Sequence, residues 1–335
     1  MQRNLATITE TLFNYVPKDL IAPINQEKIQ KILRLFPSKI SDFIIFESRL
    51  AFEEAITDVA LQVNSKNKEL YEQISNWDKV NALFDKWNNN SVINKYMENI
   101  WLEFDIHEGL NEFLIPSIIF PEFYDNLLIN DLFYKEYDIF INSILKILER
   151  KLLTEKQMIN FDNCFTNLDK NIKLYTIGIP VIRESKSIRV CFFTKNEDTI
   201  YDYLKRIGLK KRISDIKRVL NKLEKFCDHF ILHLDIEDSI MDKICVEFSF
   251  FNLTNIYSLK EKWQSLLEFF VENKMCITEK KDALLNWLGE SREIFNPEIN
   301  DSIMKRFILE VKVVFETNKQ PIVKGYFGIK KIQIL

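Results

Sequence analysis

Five times along this chain, two neighbouring segments alternate apolar and polar residues, and helical spacing returns between one pair and the next. Successive strand residues point to opposite faces, so such alternation marks a strand with one dry side and one wet side. The pairs are 43–52 (FIIFESRLAF) with 56–63 (ITDVALQV), and 99–106 (NIWLEFDI) with 113–120 (FLIPSIIF). They continue with 172–182 (IKLYTIGIPVI) and 187–194 (SIRVCFFT), 230–236 (FILHLDI) and 243–251 (KICVEFSFF), then 306–316 (RFILEVKVVFE) and 321–332 (PIVKGYFGIKKI). Short polar breaks such as RESKS and TNKQ join them as hairpins. The spacing predicts helices over 24–40, 66–87, 124–168, 197–207, 212–227, 258–273 and 279–289, with Gly289 capping the last. Hairpin strands pair antiparallel, and helices packed on one face of such a sheet make an α+β layer. Ten strands in one twisted sheet tend to curl or close.

The two faces differ in kind. Leu102, Phe104 and Ile106 oppose Trp101, Glu103 and Asp105; Ile44, Phe46, Leu50 and Phe52 oppose Ile45, Glu47 and Arg49. Val190 and Phe192 oppose Arg189 and Cys191, and Leu232 and Leu234 oppose His233 and Asp235. Val246 and Phe248 oppose Cys245, Glu247 and Ser249, while Leu309, Val311 and Val313 oppose Glu310 and Lys312. Val323, Phe327 and Ile329 oppose Lys324, Tyr326 and Lys330. Charges stranded in a dry core cost several kcal/mol each, so the charged face is wet. It either lies open to solvent or lines a lumen. Trp101, Phe193 and Tyr326 among the charges favour the lumen, because aromatic faces with converging polar groups line ligand cavities.

Composition removes other classes. Only 6 Gly occur in 335 residues, and neither GxGxxG nor GxxxxGK[ST] is present, so no phosphate loop is read. Net charge is -3, without the basic footprint that nucleic acid demands. Five scattered Cys with no CxxC fit a reducing compartment and no structural zinc. No apolar run reaches the length of a membrane span, and no secretory leader is read, so the expectation is a cytoplasmic single domain over 1–335.

Five αββα-like units with a polar inward face resemble the ABBA, or PT-barrel, aromatic prenyltransferases over about residues 24–332. VKGYF, with Lys324 and Tyr326, looks like that family's K-x-Y strand. SIRVCFF is similar to its strand beginning with a diphosphate-binding Arg, here Arg189. VEFSFFN, beginning at Glu247, looks like its E-x-S-x-N strand, although it lies in the fourth hairpin and the family's motif comes early. The resemblance implies an α+β fold: an antiparallel ten-stranded β-barrel with helices outside and a polar lumen. It also implies transfer of an allylic prenyl group from a diphosphate to an aromatic small molecule or a peptide side chain. Arg49, Arg189, Lys312, Lys324 and Tyr326 would then hold the diphosphate. Trp101 and Tyr326 would shield the allylic cation. Glu103, beside Trp101, is the first choice of base and Glu247 the second. No cofactor is required, with Mg²⁺ optional beside the donor. The alternatives are a non-catalytic barrel binding a peptide or small ligand, and a helical scaffold with incidental hairpins.

Other constellations point less far. His229, His233 and Asp235 share a strand face and suit a metal on residue type alone, but His229 is placed before the strand. DIEDSIMD departs from DDxxD and is placed in a hairpin turn, as solvated charge. The basic run 204–218 reads as a solvated helix face. Three His support neither a Ser-His-Asp nor a Cys-His set on spacing.

Overall fold

The computed structural model describes residues 4–6, 13, 15–64, 78–87, 89, 99–106, 116–120, 127–180, 187–223, 226–250, 256–293 and 302–333. The first hairpin is β1 (Phe43–Arg49) and β2 (Thr57–Asn64), preceded by helix α1 (Pro23–Arg34). Then come α2 (Asp78–Trp87), β3 (Asn99–Phe104), β4 (Ser117–Phe120), α3 (Leu127–Ile147) and α4 (Glu155–Thr166). The third hairpin is β5 (Ile172–Ile179) and β6 (Ile188–Thr194), followed by α5 (Glu197–Arg206) and α6 (Ile213–Leu223). The fourth is β7 (His229–Ile236) and β8 (Ile240–Ser249), followed by α7 (Ile256–Glu272) and α8 (Thr278–Trp287). The chain ends with β9 (Gly289–Glu293), β10 (Ser302–Phe315) and β11 (Ile322–Gln333).

The strands form one antiparallel ring. Its order is β11-β1-β2-β3-β4-β5-β6-β7-β8-β10, and β10 pairs back onto β11. Closure runs from Phe43 opposite Lys330 to Arg49 opposite Lys324. The sheet is therefore a closed ten-stranded barrel rather than an open layer, and closure removes exposed strand edges. β9 is an eleventh strand outside the ring, laid along the first part of β10 from Arg306 to Ser302.

The dry face of each strand points outward, where Leu102, Phe104, Phe192, Leu232, Val246 and Phe327 are buried. The helices press their apolar stripes onto it. Trp87, Phe140, Phe161, Tyr203, Trp263 and Trp287 are each buried to within 2% of full cover. A core ring of this kind supplies the bulk of the hydrophobic driving force, at about 25 cal/mol per Å² of apolar area covered.

Several predicted boundaries move, each for a local reason. The helix predicted over 24–40 ends at Arg34, three residues before Pro37, which cannot continue it. The tract 124–168 is two helices. Glu149 adopts φ 52, and Thr154 with Gln157 forms a capping box that starts α4 afresh. The helix over 212–227 begins as a 3₁₀ turn at Lys210–Arg212, and α6 ends at Leu223. Gly289 is not a cap. Leu288 is already extended, and Gly289 opens β9, where a Cβ would stand 2.6 Å from Arg306 Nη2. Phe52 lies beyond β1 and is exposed rather than sharing the face of buried Leu50. A bulge between Ile308 and Glu310 shifts the β10 phase, so Ile308 takes the core position and Leu309 turns to the lumen. Residues 183–186 of the predicted RESKS turn and 66–77 of the helix over 66–87 lie outside the described residues.

Gly328 sits where β11 and β1 close the ring, and a Cβ there would meet the Ile44 carbonyl oxygen at 2.3 Å. Gly328→Ala is therefore expected to cost about 1–3 kcal/mol by forcing backbone apart, read as a lowered midpoint in denaturant unfolding. An unchanged midpoint would show that the seam has slack.

Candidate active site

Alternation around a closed ring leaves a chamber on the axis. Its volume is about 420 Å³, and its wall includes Phe43, Trp101, Tyr175, Phe193 and Tyr326. Glu47, Asp58, Glu103, Arg189, His233, Glu247 and Lys312 stand among these rings. Tyr175 owes its place to a second bulge, between Leu174 and Thr176 in β5.

The charges form a connected network across non-neighbouring segments of chain. Glu47 on β1 is its hub. Lys312 Nζ lies 3.0 Å from Glu47 Oε2, Lys324 donates to Glu47 Oε1, and the Tyr326 hydroxyl donates to Glu47 Oε2. Lys312 also donates to the Tyr326 oxygen and lies 3.5 Å from Glu247 Oε1. Glu247 Oε2 is 2.8 Å from His233 Nε2. The other ring nitrogen, Nδ1, is 3.2 Å from Cys191 Sγ. Two residues along the same β6–β7 pair, Arg189 holds Asp235 by two bonds, Nε to Oδ1 at 2.8 Å and Nη2 to Oδ2 at 3.0 Å.

Protonation follows from burial against neighbouring charge. Burial opposes ionisation of Glu47, but Lys312 and Lys324 outweigh it and hold the carboxyl well below its usual range. For Lys312 burial is likewise outweighed, by Glu47 and Glu247, and the ammonium is held charged. Burial pushes Asp58 up to about 7, helped by the Glu47 charge. Burial and Glu47 also push Glu103 up. Burial lowers His233, against the pull of Glu247, so the imidazole is neutral at neutral pH. Glu247 stays low despite burial, through His233 and Lys312; with the imidazole neutral, Lys312 is the cation that matters. Arg189 and Asp235 hold each other ionised in spite of burial.

Of the residues singled out in the sequence, Trp101, Glu103, Arg189, Glu247, Lys312 and Tyr326 line the chamber. Lys324 reaches the cluster through Glu47. Arg49 does not line the chamber. It ends β1, and its carbonyl accepts a bond from buried Lys280. His229 begins β7 instead of preceding it, and lines the chamber. Asp235 belongs to β7 and not to a turn, paired with Arg189. Among the described residues no group of three or more His, Cys, Asp or Glu is arranged to hold a metal ion. Two features escaped the sequence reading. Glu47 was visible on the charged face but had no motif to mark it. Cys191 and His233 meet only because β6 pairs with β7 across two intervening helices.

No family model and no curated protein matches this chain. Solved structures do. The prenyltransferase PriB in its apo form superposes with a TM-score of 0.54 at 8% identity, covering 97% of this chain and 96% of PriB. AnaPT from Neosartorya fischeri gives 0.52 at 11% identity, covering 85% of this chain and 77% of AnaPT. The chain folds as a PT barrel. PriB has also been captured in a ternary complex with L-tryptophan and dimethylallyl thiolodiphosphate, which superposes at 0.52. At such identity the likeness shows the fold alone, and the lumen chemistry must be read from this chain's own side chains.

Asp58 carries a pH signature. Its folded pKa, about 7, exceeds the ordinary 3.8, so the native state keeps a proton that the unfolded state has lost. Stability then falls as pH rises through that window and levels off above it. Asp58→Asn, which can still accept the Ile106 N–H bond, is expected to stabilise the fold at pH 8 by about 1–4 kcal/mol and to change little near pH 4. Denaturant unfolding at the two pH values checks this.

Proposed function

We propose that the barrel transfers an allylic prenyl group from a diphosphate donor to an aromatic small molecule or a peptide side chain. The observation that carries the reading is the convergence of Lys312, Lys324 and the Tyr326 hydroxyl on one anion, the Glu47 carboxylate, at the wall of an aromatic chamber. Three donors aimed at one carboxylate define an anion niche, and a diphosphate oxygen can take the same bonds. The rings of Phe43, Trp101, Tyr175 and Phe193 offer π-faces to an allylic cation and screen it from water. Arg189 is a further candidate for the diphosphate, and Glu103 or Glu247 for the base that takes the acceptor's proton. A chamber of about 420 Å³ suits a short donor such as dimethylallyl diphosphate beside a one- or two-ring acceptor. The PriB complex with tryptophan and a dimethylallyl donor analogue supports the pairing of such ligands in this kind of barrel.

The charge balance of the lumen adds a condition. Lys312, Lys324 and Arg189 are each already paired with a carboxylate, so a diphosphate must compete with Glu47 or bring compensating charge. Protonation of Asp58 removes one negative charge beside Glu47, and Mg²⁺ arriving with the donor would offset another. Donor affinity is therefore expected to rise as pH falls from about 8 to 6, the range across which Asp58 titrates. The paired state of these cations also favours the second reading, a barrel that binds a neutral ligand without turnover.

Incubation of the purified chain with dimethylallyl diphosphate and L-tryptophan or simpler indoles, followed by mass spectrometry, separates the two. Transfer predicts a prenylated acceptor and released diphosphate. Lys324→Ala, at a partly exposed position, should lower kcat/KM about 100-fold, as loss of one preorganised donor does. A chain that neither binds nor consumes any prenyl diphosphate rules the transferase out.

A further inference from the structure

We propose that Cys191, His233 and Glu247 form a second reactive centre in the barrel, a thiol nucleophile with its base and orienting carboxylate, acting on a neutral acyl ester or thioester. The proposal stands apart from prenyl transfer and shares with it only Glu247, the second of the two candidate bases named above.

Its basis is geometric. Pairing of β6 with β7 sets Cys191 opposite His233, and pairing of β7 with β8 brings Glu247 alongside. Sγ is 3.2 Å from Nδ1, and Nε2 is 2.8 Å from the Glu247 carboxylate. Glu247 is itself steadied by Lys312 at 3.5 Å. A nucleophile within reach of a base, with the base held by a third group, is the general signature of an activated thiol or hydroxyl. All three residues line the chamber, so an electrophile inside it can meet the sulfur.

Burial keeps the thiol protonated and the imidazole neutral, so the resting pair carries no charge separation. The thiol proton passes to Nδ1 as Sγ forms its bond to the acyl carbon. The ester C–O bond then breaks, and the departing alcohol takes the proton from Nδ1. Water next attacks the thioester on Cys191, giving its proton to Nδ1, and that proton returns to Sγ as the free acid leaves. The net change is ester plus water to acid plus alcohol. Glu247, kept ionised, stabilises the transient imidazolium.

The probe is p-nitrophenyl butyrate with the purified 335-residue chain. The expected result is a burst of one nitrophenolate per protein and an acyl group that peptide mapping places on Cys191. Cys191→Ser should abolish the burst, and His233→Gln should slow it about 100-fold, the usual contribution of a general base. Cys227→Ala, which changes the partly exposed thiol outside the chamber, should leave the burst intact. Circular dichroism verifies that each variant folds. The mapping on the unaltered chain needs no variant. Acylation on Cys227 or on a lysine, a burst unaffected by His233→Gln, or no acylation at all would overturn the proposal.

Discussion

The pairing of β11 with β1 is the contact on which the rest of this molecule depends. It joins the last strand to the first across almost the whole chain, from Phe43 with Lys330 to Arg49 with Lys324. Without it the charged face would be one side of an open ribbon, and Glu47, Lys312 and Lys324 would be ordinary solvated groups. With it they become neighbours in a confined space of low dielectric, where each interaction is stronger and each unpaired group more costly. Long-range closure of this kind carries a loop-entropy cost that only the completed ring recovers. The aromatic girdle outside, with Trp287 donating to the Gly328 carbonyl at the seam, supplies the compensating burial.

The network inside is expensive by comparison with an apolar plug. Buried ion pairs often contribute no more than hydrophobic residues of the same volume, whereas breaking one leaves a charge stranded. Here Lys312 is shared by two carboxylates and a hydroxyl, and Glu47 by three donors. Stability alone does not call for such an arrangement in a chamber that Val or Leu could fill. A polar constellation with perturbed protonation at a cavity wall is what ligand recognition or catalysis requires. The aromatic rings between the charges point the same way, since they leave room that a packed core would not.

The fold was largely legible because period-two alternation is a property of each strand by itself. Residues such as Leu102 and Glu103 declare their faces without knowledge of any partner. The failures came where the pattern depends on something else. At Leu309 a single extra residue in a bulge reverses the phase, and no local composition marks it. The strand GESRE is too polar to read as β; it exists because β10 runs past β8 and offers a free edge. Glu103, Arg189, Glu247, Lys312 and Tyr326 were legible as lumen residues for the same reason the strands were. Arg49 shows the limit: it keeps the alternation, but it sits at the strand end and the chamber does not extend to it. The Cys191–His233 contact lay beyond reach altogether, because it depends on which hairpins are neighbours in the ring.

One lumen with two constellations raises the question of whether they compete. The anion niche at Glu47 and the thiol at Cys191 are the ends of a single chain of contacts running through Lys312, Glu247 and His233. A change in charge at one end alters the electrostatics at the other. If an anion draws Lys312 away from Glu247, that carboxylate loses its cation and its interaction with His233 strengthens. The imidazole then becomes a stronger base toward the thiol. Removing Glu47 acts in the opposite sense, leaving Lys312 to Glu247 alone and weakening the hold on His233. Under the two proposals the sites are coupled through a shared lysine, Lys312, which divides the electrostatic resources of the barrel between them.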